Sequence, residues 1–208
     1  MSIAVLGVDE IARLLTTADP DAVESLLCWR DEVEEGDYEI GPLNPEALGL
    51  YVLGTGACAV VLLHPDDEGL VIRVCEESDG WVGYVCDGAP NPHKPTVLSL
   101  GWAGNCWVAV CECFKPISRE EAAEFEESFW VCEDRDRSGP PATQMEALFE
   151  DIEARGLAPD NVCRRNILRR ADGTIVLNDP VSVMPFRLMM DLKDRFDASR
   201  EPESFRFW

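Results

Sequence analysis

The spacing of apolar positions changes along this chain, and the changes mark out its elements. From residue 8 to 35 apolar residues recur three and four apart. Ile11, Leu14 and Leu15 form one face, and Val23, Leu26 and Leu27 form another. That period predicts helix. Asp9, Asp19 and Asp21 stand where early-turn acids complement the helix dipole. The apolar residues of MSIAVLGVDEIARLL also recur at helical spacing. The acidic run from Asp31 to Asp37, followed by Gly41 and Pro42, reads as a solvated connector.

From Leu48 the pattern becomes that of strands. LGLYVLGTGACAVVLLHPDDEGLVIRVCEE reads as strand, glycine turn, strand, a turn from His64 to Gly69, and a third strand. WVGYVCDGAPNPHKP is a short element followed by a proline-rich loop. TVLSLGWAGNCWVAVCECF predicts two more strands around a turn at Gly101 to Asn105. Five strands so closely spaced are expected to pair antiparallel.

After Phe114 the period lengthens again. Ile117 to Cys132 and Thr143 to Arg155 read as helices, separated by the loop RDRSGPPA. Ser118 followed by Glu121 fits a capping box. NILRR and TIVLND flank Asp172-Gly173 as a hairpin, and Met184 to Phe196 is a further helix candidate before the terminal FRFW. Strands first and helices second predict an α+β fold: an antiparallel sheet lobe, then a reduced helical lobe. The expected boundaries are a helical extension over 1–45, a sheet domain over 46–114 and a helical domain over 115–208.

Charge narrows the function classes. Eighteen basic and forty acidic residues among 208 give a net charge of −22. Such a surface repels nucleic acid and anionic membranes, so direct nucleic-acid binding is not expected. It suits basic partners, or imitates the phosphate array of DNA; the plainer alternative is a solvated surface. No apolar run reaches the roughly 18 to 20 residues of a membrane span. The N-terminus has no basic stretch or cleavage site of a signal peptide, so a cytosolic location is expected. The nine cysteines include no CxxC pair, and neither His64 nor His93 sits in a zinc-ligand pattern. They read as reduced, mostly buried apolar residues.

Two motifs carry candidate chemistry. Gly54-Thr55-Gly56 lies between strand-like runs, where glycines let backbone amides approach phosphate; an ordinary hairpin turn is the alternative. Asn166 and Asp179 flank the second hairpin. Closing that hairpin would bring together an amide oxygen and a carboxylate, hard donors of the kind Mg²⁺ takes beside nucleotide phosphates. The alternative is that both residues only cap turns.

With these residues in view, the chain resembles the early-gene serine/threonine protein kinases of short-tailed, autographivirus-type phages. The resemblance rests on LGTGACAVVLLHPDDEGLVIRV continuing through VLSLGWAGNCWVAVCECF, and on NVCRRNILRRADGTIVLNDPVS. It implies a small protein-kinase-like fold that uses ATP and Mg²⁺. Gly54 and Gly56 then fall on the phosphate flap, and Asn166 and Asp179 on the metal-binding positions. Arg73 falls where the family has a third-strand lysine, and the exchange alters donor geometry. Asn161 falls on the catalytic aspartate, and an amide cannot serve as a base. Asp160 is adjacent and could replace it only with a one-residue shift of the loop. Cys163 stands where the family usually has histidine.

The resemblance therefore implies a degenerate kinase with impaired phosphoryl transfer. It would act in the host cytoplasm on host transcription, RNA-processing or defence proteins. A different class is an acidic pseudokinase that occupies a basic site on RNA polymerase or a nucleic-acid-handling factor. Arg164, Arg165, Arg169 and Arg170 form a dense basic cluster, expected to pair internally with the acidic excess. The six tryptophans are expected mostly in the core.

Overall fold

The structure, a computed structural model, describes residues 3–15, 51–55, 58–103, 106–130, 140–158 and 164–196. The helical face at 23–27, the acidic connector and the terminal FRFW lie outside these residues, as does most of the loop after Trp130. The chain is mixed α+β and divides into two compact units. The first holds the described residues up to Asp79, then Val97–Glu112 and the chain from Arg187; the second holds Gly80–Thr96 and Cys113–Phe186.

The first unit is built on a six-stranded sheet in the order β1-β5-β6-β4-β3-β2. Its strands are β1 (Ala4–Val5), β2 (Val52–Thr55), β3 (Ala59–Leu63), β4 (Leu70–Glu76), β5 (Val97–Ala103) and β6 (Cys106–Glu112). The pairings among β2 to β6 are antiparallel, as the close spacing of the strands in sequence predicts. β1 is a correction to the sequence reading. Ala4 and Val5 pair parallel with Ser99 and Leu100 rather than continuing the helical pattern. A two-residue strand is too short to display a period of its own.

Alternation divides the central strands into two faces. Val60 and Leu62, Ile72 and Val74, and Val108 and Val110 share one face. Helix α1 (Val8–Leu15) lays Ile11, Leu14 and Leu15 on that core together with Leu6. Gly101 explains the close approach. A Cβ there would stand 2.8 Å from Ile11 Cδ1 and 2.9 Å from Leu6 Cβ. Gly101 was expected in a turn but lies inside β5, where it makes room for the packing helix.

On the other face Trp102 and Trp107 are cross-strand partners, with ring centroids 4.9 Å apart in an edge-to-face arrangement. The part of helix α5 (Phe186–Phe196) that belongs to this unit brings Phe196 to 6.5 Å from Trp107. Lys193 holds its ammonium 4.2 Å over the Trp102 ring and pairs with Glu77.

The second unit contains helices α2 (Gly80–Cys86), α3 (Arg119–Trp130) and α4 (Pro140–Ala154), and a sheet in the order β7-β8-β9. These strands are β7 (Lys115–Pro116), β8 (Ile167–Arg169) and β9 (Ile175–Leu177). The capping box forms as expected: Ser118 N–H donates to Glu121 Oε2, and Glu121 N–H donates to Ser118 Oγ, both at 3.1 Å. Asp172 accepts from the Thr174 N–H at 2.9 Å, and Gly173 takes φ 93°, which completes the hairpin turn. No helix among the described residues is long and apolar enough to cross a membrane.

Candidate functional site

The residues singled out from sequence lie in both units, and each group has its own local geometry. In the first unit, Gly54 sits in β2 at the sheet edge, and a Cβ on it would meet nothing within 4 Å. Packing against the described residues therefore does not demand glycine there. Gly56 lies outside the described residues.

Arg73 lies at the middle of β4, in register with Val61 on one side and Ala109 on the other. It is a buried cation with 5% exposure. Its Nη2 donates to Asp79 Oδ2 at 2.9 Å, and both side chains are almost wholly covered. A guanidinium stays charged inside a protein, so this pair cannot relax by deprotonation of the arginine. The carboxylate is what makes burial of the cation tolerable.

Asp79 was not singled out from sequence. The available signal was an acid six positions after the arginine, just before the next element. Cys75 lies two residues along the strand from Arg73. Burial pushes its thiol pKa well up, the Asp79 charge adds to this, and Arg73 opposes it. Cys75 is thus a protonated core thiol rather than a nucleophile.

In the second unit, a short 3₁₀ turn (Arg164–Asn166) leads into β8, and Asp179 follows β9. The hairpin closes as the sequence predicts. Asn166 Nδ2 donates to the Asp179 carbonyl at 3.0 Å, and Asn178 N–H donates to the Asn166 carbonyl at 2.7 Å. The side-chain amide therefore has a structural task, and its nitrogen is oriented by the chain it must stay close to. The donor set is one amide oxygen and one carboxylate, both hard ligands that suit Mg²⁺. Among the described residues no three His, Cys, Asp or Glu side chains gather into a metal cage. A cation held by Asn166 and Asp179 would need water or phosphate oxygens to complete its shell. Asp160, Asn161 and Cys163 lie outside the described residues.

Two members of the arginine cluster are engaged within this unit, Arg169 by an acid as expected and Arg170 by carbonyls and a hydroxyl. Arg169 Nη2 meets Glu121 Oε1 at 2.7 Å. Arg170 Nη2 donates to the Lys94 carbonyl at 2.7 Å and to Thr96 Oγ1 at 3.1 Å, its Nη1 donates to the Pro92 carbonyl, and its guanidinium lies over Phe114. These contacts tie the hairpin to the loop 87–96.

Further residues in this unit went unnoticed in sequence because their polar atoms serve long-range contacts. Tyr84 donates its hydroxyl to the Leu177 carbonyl at 3.0 Å, and burial raises its phenol pKa. His93 places Nδ1 2.8 Å from the Ile175 carbonyl, and its own carbonyl accepts from Leu177 N–H at 2.9 Å. Arg155 Nη1 donates to the Gly83 carbonyl at 2.6 Å, and its Nη2 pairs with Asp151 Oδ2 at 2.7 Å. No protein-family model matches the chain, and no curated protein matches it.

Proposed function

We propose that this protein is a kinase-like protein that binds Mg²⁺ and ATP, with impaired phosphoryl transfer, and acts on host proteins in a phage-infected cell. The observation that carries the reading is the buried pair of Arg73 and Asp79. In protein kinases a third-strand cation pairs with an acid of the following helix and contacts the nucleotide phosphates. Here the cation stands on the third strand of the run β2-β3-β4, whose first strand contains Gly54. Its acid immediately precedes α2. The closed hairpin with Asn166 beside Asp179 supports the metal half of the same reading. The resemblance to autographivirus-type kinases supplies the protein substrates: host factors of transcription, RNA processing or defence. Asn161, in the place of the catalytic base, is the reason to expect little transfer.

The experiment is thermal melting of the full chain with Mg·ATP, with ATP alone and with neither. A ligand at a hundred times its Kd adds about 2.7 kcal/mol, which in a chain of this size raises Tm by several degrees. Asp179→Ala is expected to remove the Mg²⁺-dependent part of that shift. No shift in the wild type overturns the nucleotide reading. Efficient transfer of labelled γ-phosphate to host proteins, abolished by Asp179→Ala, overturns the impairment alone.

A second reading is favoured by the charge of −22. The acidic surface would itself occupy a basic site on RNA polymerase or a nucleic-acid-handling defence factor. Capture of such a partner that weakens steeply with salt, together with no response to Mg·ATP, selects this reading.

A further inference from the structure

Lys94 is a buried ammonium with no ion-paired carboxylate among the described residues. It has 8% exposure, and among the described residues no acid lies within ion-pairing distance of it. Its Nζ donates to the backbone carbonyl of Asp87, just beyond the end of α2, and stands 5.7 Å from the centre of the Tyr84 ring. A second cation caps the same helix end: Arg155 donates to the carbonyls of Gly83 and Tyr84. The nearby Asp151 carboxylate is engaged by Arg155 at 2.7 Å and by Ala89 N–H at 3.4 Å.

Every neighbouring charge bears on the ammonium. Asp151 faces it from α4 and Arg155 from just beyond that helix, and Tyr84, Cys86 and Asp87 belong to α2 and its end. Arg170 reaches the Lys94 carbonyl from the hairpin, and His93 is its chain neighbour. Burial first and the Arg155 cation second together lower the Lys94 pKa to about 8, against the opposing charge of Asp151. Opening the loop would return the amine to water and to the ordinary lysine range.

We propose that Lys94 is a proton-operated latch on the loop 87–96: the neutral amine favours the closed loop, and the ammonium favours its opening. The loop is not idle surface. His93 pairs with β9 through Leu177, and Arg170 binds the Pro92 and Lys94 carbonyls. Release of the latch therefore loosens the support of the hairpin that carries Asn166 and Asp179. The proposal does not depend on nucleotide binding.

The sign follows from linkage. The open loop keeps its proton throughout the range from pH 7 to 9, while the closed loop loses it above about 8. Opening is therefore about tenfold more favourable at pH 7 than at pH 9. The test is amide exchange on the full chain, corrected for intrinsic rates, at Ala89, Lys94 and Leu177. Expected protection is about tenfold lower at pH 7 than at pH 9 in the wild type. In Lys94→Met it should be independent of pH, and amides of Val74 and Val108 should not follow the trend. The same pH dependence in both proteins, or none in the wild type, overturns the latch.

A measurement on the wild type alone covers failure of the variant to fold. The chain has three lysines, Lys94, Lys115 and Lys193. One ¹³Cε resonance should titrate near pH 8 in the native protein. Titration of all three in the ordinary range near 10.4 also overturns the proposal.

Discussion

The Arg73–Asp79 pair makes the sharpest claim about energetics, and a double-mutant cycle tests it. Arg73→Met keeps an unbranched chain in the β4 site and removes the cation paired with Asp79; Asp79→Leu removes the acid paired with the guanidinium. Side-chain exposures of 6% and 4% leave neither charge much water to recover without local rearrangement. Removing one partner of a buried pair typically costs about 3–5 kcal/mol. Removing both exchanges the pair for apolar contact at similar volume, which is often nearly neutral. The double variant should therefore be more stable than either single variant, with a coupling of at least about 2 kcal/mol. Urea unfolding of the four proteins at pH 7 measures this, provided their m-values agree. Single variants costing under about 1 kcal/mol, or a double variant equal to the sum of the singles, would refute the account of a desolvated, mutually dependent pair.

Two further outcomes follow from the local geometry. Gly88 has φ 98°, and a Cβ on it would lie 2.1 Å from Asp151 Oδ2, whereas Gly173 has φ 93° with open space around it. Gly173→Ala should cost about 1 kcal/mol of backbone strain and Gly88→Ala clearly more, through displacement of Asp151; equal losses in urea midpoint would refute the crowding. Cys75 keeps its proton above the range where the unfolded chain releases it, about pH 8.5. Its contribution is present below that pH and lost as pH rises above it, so Cys75→Ala should flatten the decline in stability between pH 8.5 and 10; unchanged slopes contradict the burial account.

The sequence was most legible where local chemistry and tertiary packing ask for the same residue. Ser118 and Glu121 needed only each other, and Asp172 and Gly173 needed only their own turn. β3, β4 and β6 are near-continuous apolar runs of five to seven residues rich in β-branched residues, bounded by turn residues, which is enough for strands to show. Ala4 and Val5 offer no period, and their strand exists because β5 provides an edge to pair with. Gly101 was misassigned because a glycine needed for helix packing looks the same in sequence as a turn glycine. At the candidate site, Asn166 and Asp179 could be named from the hairpin they flank, and Arg73 through the resemblance alone. Asp79, Lys94 and Arg155 could not, because their roles depend on burial and on carbonyls distant in sequence.

The two departures from the kinase pattern differ in what they imply for activity. A third-strand cation must carry charge and accept an acidic partner, and Arg73 does both in its pair with Asp79. The base position must accept a proton, and the amide of Asn161 has no useful affinity for one. Under the kinase-like reading, the weak step is therefore proton removal rather than phosphate binding. Restoring the acid with Asn161→Asp should leave the Mg·ATP melting shift unchanged. It should raise γ-phosphate transfer to a protein hydroxyl by a factor on the order of 10², the lower range for a positioned general base. Equal transfer rates in the two proteins, with nucleotide still bound by both, would move the defect away from Asn161. Arg73 would then be next in line, because its fixed fork would hold the phosphates in a geometry that a lysine would not impose.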